Sequence, residues 1–272
     1  MPFIEIKGKK MYYETYGEGE PLVILNGIMM STASWNGFIE IFSSRHKMVL
    51  IDLIDQGRSD KAEDPYNQDM HVEMLKELFH KLGFEKLHLL GISYGGEVAM
   101  LFALKHQHML HTLILADTTA YTNKLMNDIE ELWDYTASLN DGVIYFKSTM
   151  PYIYSTVFYE QNIEWLKERE KNFAKQDIKE WYAGFRRAIK SASKLNIIEE
   201  LYNIEIPTLI IGSEYDIMTP VRYQEEIHKR IKDSRFVVIK GAGHASMYEK
   251  PYEFAAIVVG YLSVYDKTIA IV

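Results

Sequence analysis

The chain contains no cysteine, so it can hold neither a disulfide framework nor a thiolate metal site. That absence fits a reducing, cytoplasmic setting. No run of about 18 apolar residues occurs, which argues against a membrane-spanning helix. The opening stretch Met1-Pro2-Phe3-Ile4-Glu5-Ile6-Lys7 alternates like a strand and lacks an apolar signal region, so secretion by a cleaved leader is not expected. A basic excess is also missing: 30 basic against 38 acidic side chains give a net charge of −8, a field that repels nucleic acid. No phosphate loop or metal-ligand spacing is present, so no cofactor and no metal are expected. Gly17-Glu18-Gly19-Glu20 reads as a turn.

What is present is an ordinary globular balance over 272 residues, with 47% hydrophobic and 25% charged side chains. Residues 3–7 and 11–16 alternate around Gly8-Lys9-Lys10 and predict an antiparallel hairpin. Continuous apolar runs follow at 22–25, 48–51, 87–90 and 113–116, the signature of strands covered on both faces. Between them lie helical periodicities: Trp35, Phe38, Ile39 and Phe42; residues 69–82 before Gly83; and residues 95–106. Alternating strands and helices predict a mostly parallel, eight-stranded sheet with helices on both faces, an α/β fold.

From about 120 to 200 strand-like runs become scarce, and aromatic and charged residues intermix. This stretch is expected to be a helical insertion, a cap over the sheet end, within one domain formed by 1–119 and 201–272. After Pro207 the α/β pattern resumes with strands at 208–211 and 236–239. A helix is expected from Pro220 with Thr219 as its cap, and a closing helix from near Pro251. Residues past about 265 read as a loose end.

One stretch carries the chemistry. Gly91-Ile92-Ser93-Tyr94-Gly95 sits between a buried strand and a helix start, which is the context of a nucleophile elbow. A serine hydroxyl attacks well only when a base takes its proton and a carboxylate orients that base. Of nine histidines, only His244 lies in a glycine-rich turn after a late strand, in Gly241-Ala242-Gly243-His244. His46, His71, His80, His88 and His228 fall in or beside helices and strands, while His106, His108 and His111 cluster near a helix end. For the acid, Asp216 follows the strand at 208–211, with Asp117 at the end of the preceding strand and nearby Glu214 as alternatives. Backbone amides of Tyr94, next to the serine, and Ile28, behind Asn26-Gly27, are placed to form an oxyanion hole. Asn26, Gly27, Met29, Met30, Met218 and Met247 are candidate pocket residues, and flexible methionines favour a small to medium apolar acyl group. Arg58, Arg186 and Arg187 are the cations within reach of that region.

These signals stand in one order: Leu25-Asn26-Gly27, the run from Asp52 to Asp60, Gly91–Gly96, the Asp216 loop and Gly243-His244. In that order the chain resembles the α/β-hydrolase fold superfamily over nearly its whole length, with a cap at 120–200. Asn26-Gly27 stands where many relatives have His-Gly, and Asp55-Gln56 where many have a glycine–histidine pair. The likeness extends to enol-lactonases of the 3-oxoadipate type. It implies a serine hydrolase acting on a small-molecule ester, lactone or thioester through an acyl-Ser93 intermediate. Alternatives on the same fold are a C–C bond hydrolase, lyase or perhydrolase, and a non-enzymatic small-ligand receptor.

Overall fold

A computed structural model describes residues 2–175 and 178–267. Eight strands form one sheet in the order β1-β2-β4-β3-β5-β6-β7-β8. They are β1 (Phe3–Ile6), β2 (Lys9–Tyr16), β3 (Pro21–Leu25), β4 (Lys47–Ile51), β5 (Leu87–Ile92), β6 (Leu110–Ala116), β7 (Thr208–Ser213) and β8 (Ser234–Ile239). Strand β2 runs antiparallel to both β1 and β4, and every other pairing is parallel. The hairpin closes through Lys7 and Gly8, since Ile6 pairs with Lys9, one residue earlier than the expected Gly8-Lys9-Lys10 loop.

The central strands are apolar throughout because both faces are covered. Successive side chains point to opposite faces. Val23, Leu25, Val49, Ile51, Leu89, Leu113 and Leu115 pack on one side with α2 (Asp69–Lys81) and α3 (Tyr94–His106). Leu22, Ile24, Leu50, Leu90, Ile92, Ile114 and Ile211 face the other side. There they meet Trp35 and Phe38, Phe42 of α1 (Ile39–Ser43), and Phe254 and Val258 of α11 (Pro251–Leu262). Trp35 and Phe38 lie in a 3-10 turn over Thr32–Phe38 rather than in a continuous helix.

Between β6 and β7 the chain leaves the sheet for five helices: α4 (Lys124–Ser138), α5 (Gly142–Ile153), α6 (Thr156–Gln161), α7 (Ile163–Ala174) and α8 (Lys179–Ala192). It leaves and returns at one place, where Tyr121 and Asn196 form an isolated antiparallel bridge. After β7 come α9 (Val221–Arg230), β8, and the short α10 (Ser246–Glu249) ahead of α11. Pro220, not Thr219, is the residue capping α9. The Thr219 hydroxyl is engaged elsewhere, as described below. No helix among the described residues is long and apolar enough to cross a membrane. The expected loose end past 265 lies, beyond Lys267, outside the described residues.

Candidate active site

Ser93 occupies the junction between β5 and α3 with φ 51° and ψ −122°. A non-glycine residue adopts that backbone only under constraint. The constraint is local: the Ser93 N–H donates to the Ala116 carbonyl at 2.9 Å, and its carbonyl accepts from Thr118 Oγ1 at 2.7 Å and from the Gly96 N–H at 2.8 Å. The flanking glycines are needed for space. A Cβ on Gly91 would lie 2.2 Å from the Gly95 carbonyl oxygen, and one on Gly95 would lie 2.4 Å from that of Leu25. The turn therefore tolerates a side chain at position 93 while excluding one at either glycine.

Three side chains from three separate loops converge here. His244, 8% exposed in the loop after β8, holds Nε2 at 2.9 Å from Ser93 Oγ and Nδ1 at 2.8 Å from Asp216 Oδ2. Asp216 Oδ1 accepts from the Met218 and Thr219 N–H groups at 2.8 and 2.9 Å, and Oδ2 also accepts from Thr219 Oγ1 at 2.8 Å. Thus the threonine expected as a helix cap instead fixes the carboxylate. Burial works against both charged forms, but the attraction between the two groups outweighs it. Asp216 is held below the usual aspartate value and His244 is raised above the usual imidazole value.

The other candidate acids do not contact the imidazole. Asp117 is fully buried and accepts from Ser213 Oγ at 2.7 Å and Ser246 Oγ at 2.6 Å; burial first, then repulsion from Asp216, pushes its carboxyl up to about 7. Glu214 is bound to Lys240 and to the Gly241 N–H. His106 packs on Phe102 and His108, whereas His111 packs on His88, so these histidines are not brought to one point.

The loop carrying Ile28 is braced from behind. Asn26 Nδ2 donates to the Ile51 carbonyl at 2.8 Å, and its Oδ1 accepts from Trp35 Nε1 at 2.9 Å. Gln56 Nε2 donates to the Gly27 carbonyl at 3.2 Å. Asn26, expected in the pocket, is 1% exposed and turned into this bracing network. The amide of Tyr94 is the first of α3 and has no acceptor within its helix. Ile28 and Tyr94 both border the space in front of Ser93.

That space is a cavity of about 150 Å³. Gly27, Met29, Met30, Met218 and Met247 line it, joined by Met126 and Trp133 of α4 and by Tyr154 just after α5. None of the three arginines considered from the sequence borders it. Arg187 pairs with Asp55 at 2.6 Å, Arg186 pairs with Asp134 at 2.8 Å, and Arg58 stacks on Tyr12. Arg169 on α7 does border it. So do Glu97 and Glu130, two acids that sequence reasoning passed over. The available signal was Glu97 itself, the one acid in the otherwise apolar body of α3.

The sequence profile of the alpha/beta hydrolase fold matches residues 20–251. The chain belongs to the α/β-hydrolase fold family. Within this family it is 31% identical to the proline iminopeptidase of Saccharolobus solfataricus, over 94% of this chain and 90% of that one. It is 25% identical to 3-oxoadipate enol-lactonase 1 of Acinetobacter baylyi, over 94% of each chain. Among solved structures it superposes with a TM-score of 0.94 on an α/β hydrolase enzyme from a Medee basin deep-sea metagenome library. That protein is 37% identical, and the match covers 99% of this chain and 100% of the other.

Proposed function

We propose that this α/β hydrolase is a serine hydrolase that cleaves small carboxylic esters or lactones, thioesters included, through an acyl-Ser93 intermediate. The observation that carries this reading is the continuous contact Ser93 Oγ to His244 Nε2, and His244 Nδ1 to Asp216, at 2.9 and 2.8 Å. In the first half-reaction the Ser93 oxygen adds to the carbonyl carbon while its proton passes to His244 Nε2. The oxyanion accepts hydrogen bonds from the Ile28 and Tyr94 amides. Collapse expels the alcohol, which takes the proton back from His244. Water then repeats the sequence on the acyl group, and the carboxylic acid leaves. Asp216 keeps the imidazole in the required tautomer and compensates its charge.

The helices at 124–192 act as the cap, and the cavity's apolar walls favour a small acyl group. About 150 Å³ is room for a group of roughly benzene size. Ser93→Ala abolishes turnover of p-nitrophenyl butyrate and labelling by a fluorophosphonate probe; undiminished turnover in that variant overturns the reading. The likeness to the proline iminopeptidase favours a second reading, amide cleavage by the same three residues. Anilide and ester substrates with a common acyl group separate the two.

A further inference from the structure

Glu97 and Glu130 stand in the cavity without a role in the acyl-transfer steps. Glu97 lies on α3 one helical turn beyond Ser93, about 6 Å along the axis, and helical side chains lean back toward the N-terminus. It is 5% exposed. Gln68 Nε2 donates to its Oε2 at 2.6 Å. Glu130, on α4, also borders the cavity, and its Oε2 is shut off from solvent with no partner among the described residues. Two carboxyls thus border one cavity with otherwise largely apolar walls, Glu97 from α3 and Glu130 from the inserted α4, near enough for the charge of Glu130 to act on Glu97. Unpaired carboxyl oxygens in such surroundings are costly unless something binds them.

The surrounding charge identifies what is missing. Burial, and for Glu97 also the neighbouring Glu130, drives both carboxyls toward their neutral forms, with Glu130 pushed up to about 8. The cation bordering the cavity, Arg169, stacks on Trp165, and its charge is felt at Tyr154 rather than at either glutamate. His244 is directed to Asp216 and Ser93. Among the described residues, therefore, no cation pairs with either glutamate.

We propose that Glu97 and Glu130 form a cation-recognition subsite that selects substrates carrying an ammonium group close to the reacting carbonyl. The proposal rests on the hydrolase reading above and holds for an ester or an amide alike. An ammonium bound at this pair supplies a donor to the unpartnered Glu130 Oε2 and favours the ionised carboxylates, so binding releases protons to solvent. Glu97 contributes from the nucleophile's own helix. Glu130 contributes only when α4 is seated, which makes the inserted helices part of the selectivity.

The test compares methyl 2-aminobutyrate with methyl butyrate, which differ only by the amine, using methanol release, which is one per ester cleaved for both. The wild-type protein favours the amino ester in kcat/KM by about tenfold or more, with most of the difference in KM. In Glu97→Gln and Glu130→Gln the ratio of the two substrates falls toward unity. Equal turnover in the wild type, or a ratio that survives both substitutions, overturns the proposal. Two further measurements do not depend on those variants folding, and the second does not depend on turnover. Propylammonium inhibits p-nitrophenyl butyrate hydrolysis at least about tenfold more tightly than propanol. Calorimetry on Ser93→Ala gives the same preference for the amino ester. Binding preference without hydrolysis of any ester sinks the hydrolase reading and leaves the subsite standing, whereas hydrolysis without preference does the reverse.

Discussion

Asp117 and Asp216 leave the ends of neighbouring strands, but only Asp216 turns its carboxylate to His244, with Oδ2 2.8 Å from Nδ1. Both oxygens of Asp117 are taken by the hydroxyls of Ser213 and Ser246. One imidazole cannot compensate two buried carboxylates. The one in contact ionises readily, and the other is driven to about 7.

Substituting the two aspartates therefore has unequal consequences. Asp216→Asn lowers kcat/KM for p-nitrophenyl butyrate by about 10³ to 10⁴, because the amide favours the wrong imidazole tautomer. Asp117→Asn costs less than about tenfold, since the amide oxygen still accepts from one serine while its NH2 donates to the other hydroxyl, which can turn to accept. The pH profile separates them further. The base must be neutral to take the proton, so activity is lost on the acid side, and the raised His244 value puts that limb above 6.5. Removing the Asp216 charge moves the residual limb to lower pH.

The elbow has no room for a methyl group. Gly91→Ala brings Cβ into the Gly95 carbonyl oxygen at 2.2 Å, and overpacking of this kind costs about 1–3 kcal/mol. A lowered Tm is expected, together with fluorophosphonate labelling of Ser93 slowed by more than about tenfold. Gly37→Ala is the control: a Cβ there meets nothing within 4 Å. Equal melting temperatures for the two variants contradict this account of the turn.

Asn26 is a brace and not a cavity-lining residue. Asn26→Ala leaves Trp35 Nε1 and the Ile51 carbonyl without their side-chain partner, at about 1–3 kcal/mol for buried groups. The loop bearing the Ile28 amide then loosens, so kcat falls while KM moves little. Steady-state kinetics alongside thermal melts checks both; a change confined to KM returns Asn26 to the pocket.

Much of the architecture was legible in the chain because burial on two faces leaves continuous apolar runs, and the helices between them leave a 3.6-residue period. Ser93 was equally legible, since an elbow demands glycine at fixed neighbouring positions. His244 stood out for a similar reason, alone among nine histidines in a glycine-rich turn after a late strand.

Contacts between distant loops left no such trace. Thr219 looks like a helix cap in the sequence, and only the fold shows its hydroxyl donating to Asp216, at 2.8 Å. Arg187 looks available until Asp55, 132 residues away in sequence, is found to hold it. Glu97 and Glu130 are unremarkable acids on two separate helices until the fold brings both to the border of one cavity. Local pattern, then, determined the elements, their order and the nucleophile candidate, because those depend on near neighbours and on which faces are buried. Tertiary structure decided which carboxylate meets the imidazole and which acids enter the cavity, because such contacts depend on how loops far apart in the chain are packed.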